Sequence, residues 1–184
     1  MKANNEAVVR GALYAKKVDI ALLRDSSDRD LEAENNVVAA VSVKAPLSNF
    51  KQNSNNYFEQ LIGETVNLRE RNIAHGHIMI LPVVVPYFKS DGTLSRVETI
   101  GSVQLSKYLR MNEHRHRGFA SNPLCIFLVE FETIPRNKAG MVGARVHHQS
   151  EKAIPGLTTD AAAALHELNN FDLFVERVVL EATR

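Results

Sequence analysis

The feature that most constrains this chain is the run Val37-Val38-Ala39-Ala40-Val41-Ser42-Val43-Lys44. Small and β-branched residues with no turn former among them read as a buried strand, and Pro46 ends it. A lysine closing such a strand is costly to bury unpaired, so it either reaches solvent at the sheet edge or is held beside carboxylates. Strand alternation puts Ser42 and Lys44 on one face and Val41 and Val43 on the other. A second apolar run carrying one acid, Val18-Asp19-Ile20-Ala21-Leu22-Leu23, lies upstream, and a helix-like stretch carrying Glu59 and Glu64 lies downstream. Carboxylates gathered with a lysine at neighbouring strand ends can hold a divalent metal beside a phosphate. Each residue also has a plainer use: Lys44 snorkels to water, Asp19 pairs with Lys16 or Lys17, and a helix glutamate pairs with a basic neighbour.

Periodicity organises the rest. Residues 11–24 read as one strand or a tight pair, and the acidic stretch 25–36 as a turn or loop leading into the strand 37–44. From about 53 to 71, Tyr57, Phe58, Leu61, Ile62, Thr65 and Leu68 recur at spacings of three and four, which predicts an amphipathic helix packed on the sheet. Residues 77–88 form a long apolar run interrupted by Pro82 and Pro86, followed by turn chemistry at Lys89-Ser90-Asp91-Gly92-Thr93. Residues 103–109 suit a short helix, 124–131 a buried strand, and 158–183 one long helix. The order is strand, strand, helix, strand, variable region, strand, helix, which predicts an α/β (α+β) class with a mixed central sheet.

Composition bounds the function. At 184 residues with 45% hydrophobic and 23% charged side chains, the chain is long enough for one domain, 1–184, with a proper core. No run approaches the roughly 18 apolar residues of a membrane span, and the amino terminus carries no secretory signal. Cys125 is the lone cysteine, which excludes an internal disulfide and a Cys-rich zinc site and fits a reducing cytoplasm. The net charge of +1 argues against a coating protein with a broad basic face. Charge is nevertheless segregated: 24–34 holds Asp25, Asp28, Asp30, Glu32 and Glu34, whereas 110–117 holds Arg110, Arg115 and Arg117 with His114 and His116.

The pattern around Asp19 and Lys44 resembles the PD-(D/E)XK nuclease superfamily. Val18-Asp19 stands where that motif has proline and its first acid, and Val41-Ser42-Val43-Lys44 stands as the acid-x-lysine strand, with Ser42 in place of the second acid. In one subgroup of tetrameric restriction enzymes the second acid moves to the following helix. Lys44, thirteen residues, then Phe58-Glu59 is similar to that spacing. The segment 42–59, with Gly63-Glu64-Thr65 after it, resembles type II restriction endonucleases over about 30 residues. The likeness covers a catalytic half, about 11–90, and not the recognition half, about 100–184.

This resemblance implies a restriction-endonuclease-like mixed central β-sheet flanked by helices in a single nuclease domain. It implies a cytoplasmic, prokaryotic-type restriction-modification enzyme that hydrolyses double-stranded DNA at a specific site as a homodimer or higher homo-oligomer, without a membrane. Mg²⁺ would be the cofactor, with Mn²⁺ as a substitute. Asp19 and either Glu59 or Glu64 would hold the metal, Lys44 would orient the attacking water, and Ser42 would be a small spacer or an outer hydrogen-bond partner. At 100° per residue from Tyr57 the apolar arc spans 0° to about 140°, with Glu64 near 340° and Glu59 near 200°, so each borders the buried face. The spacing favours Glu59.

The recognition contacts are sought among polar and basic residues. Lys51, Gln52, Asn53 and Asn55, in a loop over 49–56, suit phosphate or adenine edges, and Arg110, Arg115, Arg117, Arg145 and His147 suit phosphates or guanine edges. Turn and helix capping is their ordinary use. His75-Gly76-His77 puts two imidazoles on one strand face, but with no third ligand nearby in sequence the pair reads as solvent-facing rather than metal-binding. Phosphate-cradling glycine loops, nucleophile elbows and dinucleotide fingerprints are absent from the sequence. Two alternatives stand beside the nuclease. One is a DNA-binding module of the same fold without activity, favoured by Ser42. The other is a serine-lysine hydrolase using Ser42 and Lys44, disfavoured because a sheet face rarely exposes a hydroxyl as a nucleophile.

Overall fold

The computed structural model describes residues 2–24, 36–114, 117–120, 123–149 and 154–184. Strand β1 (Lys2–Asn5) leads into a small hairpin of β2 (Val8–Arg10) and β3 (Ala15–Lys17), followed by β4 (Ile20–Leu23) and β5 (Val37–Lys44). Helix α1 (Phe50–Arg69) precedes β6 (Ala74–Pro82), a second hairpin of β7 (Val84–Phe88) and β8 (Leu94–Thr99), and helix α2 (Ser102–Glu113). Strands β9 (Leu124–Phe131) and β10 (Val146–His148) and helices α3 (Thr159–Leu168) and α4 (Phe171–Ala182) complete the chain.

Six strands form a mixed sheet in the order β1-β4-β5-β6-β9-β10. The β1–β4, β4–β5 and β9–β10 pairs are antiparallel, whereas β5–β6 and β6–β9 are parallel. Parallel neighbours need a crossover, and α1 supplies the one between β5 and β6. A sheet covered on both sides explains why the central strands are apolar almost throughout. Successive residues divide between two layers. Met79 and Leu81 of β6 and Leu124, Ile126 and Leu128 of β9 meet Phe50 and Leu61 of α1, Leu105 and Tyr108 of α2, and Leu165 and Leu168 of α3. On the other face Ala39, Val41, Ala74, Ile78 and Cys125 meet Phe174 and Val178 of α4. A Cβ at Gly76 would lie 3.1 Å from both Phe174 and Val178, so the missing side chain lets α4 sit close to the strand.

The predicted mixed sheet flanked by helices is observed; the segment boundaries differ in informative ways. Helix α1 begins at Phe50 rather than near 53, because buried Phe50 anchors the first turn. The residues expected as a polar loop therefore lie on helix. The apolar run 77–88 is two strands, with Val84–Phe88 leaving the main sheet to pair with Leu94–Thr99, a strand the sequence did not reveal. The short helix expected over 103–109 extends to Ser102–Glu113. The long helix expected over 158–183 is two helices, because Asn170 turns its side chain to accept the Leu173 N–H at 3.0 Å and starts α4 afresh. The expected loop over 25–36 falls, but for Asn36, outside the described residues.

The turn of the first hairpin is fastened to α1 through Asn67. Asn67 Oδ1 accepts the N–H groups of Leu13 and Tyr14 at 2.8 and 3.2 Å, and its Nδ2 donates to the Tyr14 carbonyl at 3.1 Å. The Ala12 N–H donates to the Asn67 carbonyl at 2.8 Å. Gly11 is obligatory beneath this clasp, since a Cβ there would fall 2.0 Å from Asn67 Nδ2.

Candidate functional site

The polar side chains collect on the α1 face of β5 and β6. Ser42 and Lys44 point there by the alternation of β5, and in β6 the parity that sends Ile78 toward α4 sends His75 and His77 toward α1. The pairing of Ser42 with His77 and of Ala40 with His75 sets these residues side by side. Ser42 is 1% exposed and both histidines are fully buried. From above, α1 lowers Glu64 and Thr65 onto the strands, with Glu64 only 4% exposed.

Glu64 is the hub. Its Oε1 meets Lys16 Nζ at 2.6 Å and Lys44 Nζ at 3.4 Å, and its Oε2 lies 3.2 Å from His77 Nε2. Burial alone would raise the Glu64 pKa. Hydrogen bonds from His77 and Lys16, with the charge of Lys44, more than reverse that and hold it well below the usual carboxylate range. Glu64 is thus ionised and accepts from His77 Nε2–H. Burial is the main reason His77 titrates below its ordinary value, opposed by the bond and charge of Glu64. His75 is pushed lower still by burial, with the repulsion of His77 added.

The tautomer of His75 follows from proton counting. Thr65 Oγ1 donates its one proton to the Leu61 carbonyl at 2.8 Å, so at its 3.2 Å contact with His75 Nδ1 it can only accept. Nδ1 therefore carries the proton of the neutral ring. Nε2 is left with a lone pair and accepts from Ser42 Oγ at 3.2 Å. The two rings meet edge to face, with centroids 4.4 Å apart.

Asp19 occupies the other side of the same strand end. Its Oδ2 accepts the Val43 N–H at 2.7 Å, one residue from Lys44. Among the described residues, Glu64, His75 and His77 form the group of three ligand-type side chains whose donor atoms all lie within 4.8 Å of one another, and Asp19 is not part of it.

Several expectations are corrected. Glu59, favoured by spacing, is an exposed residue of α1 whose charge acts on Lys107; the glutamate beside Lys44 is Glu64. The helical angles account for this: Glu64 lies 20° from the apolar arc and Glu59 about 60° beyond it. His75 and His77 do not face solvent, because the strand that carries them is paired on both sides and covered by α1. The third ligand missing from the local sequence comes from the helix. Lys16 pairs with Glu64 rather than Asp19. No local signal pointed to it.

The expected recognition residues are spread over several elements. Lys51, Gln52, Asn53 and Asn55 lie in the first turns of α1, where Lys51 pairs with Glu98 at 3.3 Å and Asn55 accepts from Lys107 at 2.9 Å. Arg110 is exposed on α2, Arg117 and Arg145 are exposed outside helices and strands, and His147 on edge strand β10 lies 3.6 Å from Glu130. Arg115 lies outside the described residues.

Comparison with known proteins adds no relative: no family model matches the chain, and neither the curated proteins nor the solved structures contain a significant match. No described helix is long and apolar enough to cross a membrane.

Proposed function

We propose that this chain is a divalent-metal-dependent DNA endonuclease in which Asp19, Lys44 and Glu64 act on the scissile phosphate. One observation carries the reading: α1 delivers a buried, ionised carboxylate to within 3.4 Å of the lysine that closes β5, over a strand position where Ser42 supplies no acid. The order of elements agrees with a restriction-endonuclease-like core. Asp19 immediately precedes β4, which pairs antiparallel with the β5 strand that ends in Lys44, and a helix then crosses to a third, parallel strand.

The donors suit the expected ion in kind. Carboxylate oxygens are the hard ligands Mg²⁺ prefers, and the carboxylates of Asp19 and Glu64 flank the same strand end at Val43 and Lys44. Mg²⁺ held there would supply a bound water of lowered pKa and neutralise phosphate charge. Lys44 contributes a fixed positive charge toward the phosphate and orients the water. His77 aims the Glu64 carboxylate through its bond to Oε2. Double-stranded DNA would be the substrate, with a symmetric homo-oligomer matching a symmetric site.

The test is cleavage of plasmid DNA by the purified chain with Mg²⁺ or Mn²⁺, followed by sequencing of the ends. Wild type should give discrete products. Asp19→Ala and Lys44→Ala should lose cleavage by at least about a hundredfold while keeping their fold. Wild-type rates in either variant would sink the assignment. One observation favours a second reading, a DNA-binding module without activity: both Glu64 oxygens are already engaged, by two ammonium groups and an imidazole. Retained, salt-dependent duplex binding with no cleavage under either metal would select it.

A further inference from the structure

Glu64, His75 and His77 bring together a ligand set whose two imidazoles neither the Asp19–Lys44 pattern nor a Mg²⁺ site requires. Two neutral imidazoles and one carboxylate are a borderline-soft donor set of the kind that holds Zn²⁺ or Co²⁺, and a poor one for Mg²⁺. We infer that these three residues form a binding site for a late first-row divalent ion, which shares Glu64 with the proposed nuclease centre and differs from it in its other two ligands and in its metal.

The spacing fits. Corners of a tetrahedron with bonds of about 2.05 Å lie roughly 3.3 Å apart. Glu64 Oε2 and His77 Nε2 are 3.2 Å apart, and the His75 donor lies within 4.8 Å of both partners. His75 is already prepared, since Thr65 fixes the proton on Nδ1 and directs the Nε2 lone pair toward Ser42. A hydrogen bond on the far ring nitrogen is the usual device for orienting a metal-bound imidazole. To ligate through Nε2, His75 gives up the Ser42 hydroxyl, which rotates away. His77 moves its single proton from Nε2 to Nδ1, keeping a neutral ring and freeing the Nε2 pair.

Charge sets the strength. Lys16 and Lys44 stand on Glu64 Oε1, opposite the oxygen assigned to the ion, and their side chains are each 24% exposed. They oppose a cation through space. Replacing one by an uncharged chain of similar length must therefore tighten binding, whereas a purely structural role for the cluster predicts no such change.

The experiment is a Co²⁺ titration of the full chain in metal-free buffer, followed by visible absorption and with Zn²⁺ as competitor. The expected result is one intense tetrahedral-type band per chain that Zn²⁺ abolishes. His75→Gln and His77→Gln should each weaken binding by about a hundredfold, and Lys16→Met should tighten it by about tenfold. Asp19→Ala should leave the band intact, so loss of DNA cleavage in that variant and failure of this site are separate outcomes. Circular dichroism confirms that each variant is folded; Lys16→Met, altering a partly exposed side chain, keeps the test decisive if the histidine variants do not fold. The inference is overturned by absence of a band at millimolar Co²⁺, by a band unchanged in both folded histidine variants, or by equal affinity in Lys16→Met and wild type.

Discussion

Strands β5 and β6 carry two faces of opposite character on one stretch of backbone. Toward α4 the pair presents Ala39, Val41, Ala74 and Ile78 with Gly76 left bare, and the covering residues are Phe174 and Val178. Toward α1 it presents Ser42, Lys44, His75 and His77 against Glu64 and Thr65. Both faces are buried. One is held by close packing, where no polar atom needs a partner; the other is held by hydrogen bonds and ion pairs, and each donor or acceptor must be answered. The difference shows how a single β-strand parity separates a structural layer from a chemical one.

Four experiments would break or sharpen that division. The largest effect expected is at Cys125, part of the apolar layer, whose thiol pKa burial pushes up to about 12. At pH 8 a thiol with that pKa is almost wholly protonated, and only the thiolate reacts. Alkylation of the folded chain should therefore be slower than that of the denatured chain by a factor on the order of a thousand. Comparable rates would mean that this layer is open to water.

Next, Phe174→Ala should cost about 3–5 kcal/mol in urea or guanidinium unfolding, because it empties the volume over Gly76 and removes the stacking partner of Phe171. Its Co²⁺ affinity should stay at wild type while it is folded. A shift in that affinity would show that the two faces are coupled.

On the polar face, Glu64→Ala strands two lysines and His77 beside an empty site. With the ammonium groups partly exposed, a loss of about 3 kcal/mol is expected, together with loss of both DNA cleavage and Co²⁺ binding. Stability within about 0.5 kcal/mol of wild type would show that the ion pairs are fully solvated in solution. The smallest effect belongs to Glu59→Ala, an exposed helix position: stability should change by less than about 0.5 kcal/mol and cleavage should not change. An inactive Glu59→Ala would return the ligand role to that residue.

The sequence was most legible where a local period carries the information. Period two placed Ser42 and Lys44 together and Val41 and Val43 opposite, and the structure has them so. The helical angles left Glu59 and Glu64 both bordering the buried face, and the spacing taken from a resemblance favoured Glu59, whereas the structure sets Glu64 beside Lys44. His75 and His77 could be set on one face but not oriented, because Ala-His-Gly-His has no apolar side to declare the core. Their burial depends on strands distant in sequence. Lys16 was beyond reach for the same reason, since only the fold brings the first hairpin over α1. The break at Asn169-Asn170 lies inside the stretch that read as one long helix, where only the side chain of Asn170 starts α4 afresh.

The clasp of Asn67 on the first hairpin makes loop length a ruler. With Leu13 and Tyr14 pinned to one side chain and Gly11 pressed against it, Lys16 is reached by a fixed count of residues. One residue inserted or deleted between Tyr14 and Lys16 would flip the side chain at the hairpin's far end to the opposite face and draw its ammonium away from Glu64. Chain length in that short segment, more than the identity of the residues within it, decides whether the charge on the buried carboxylate is answered.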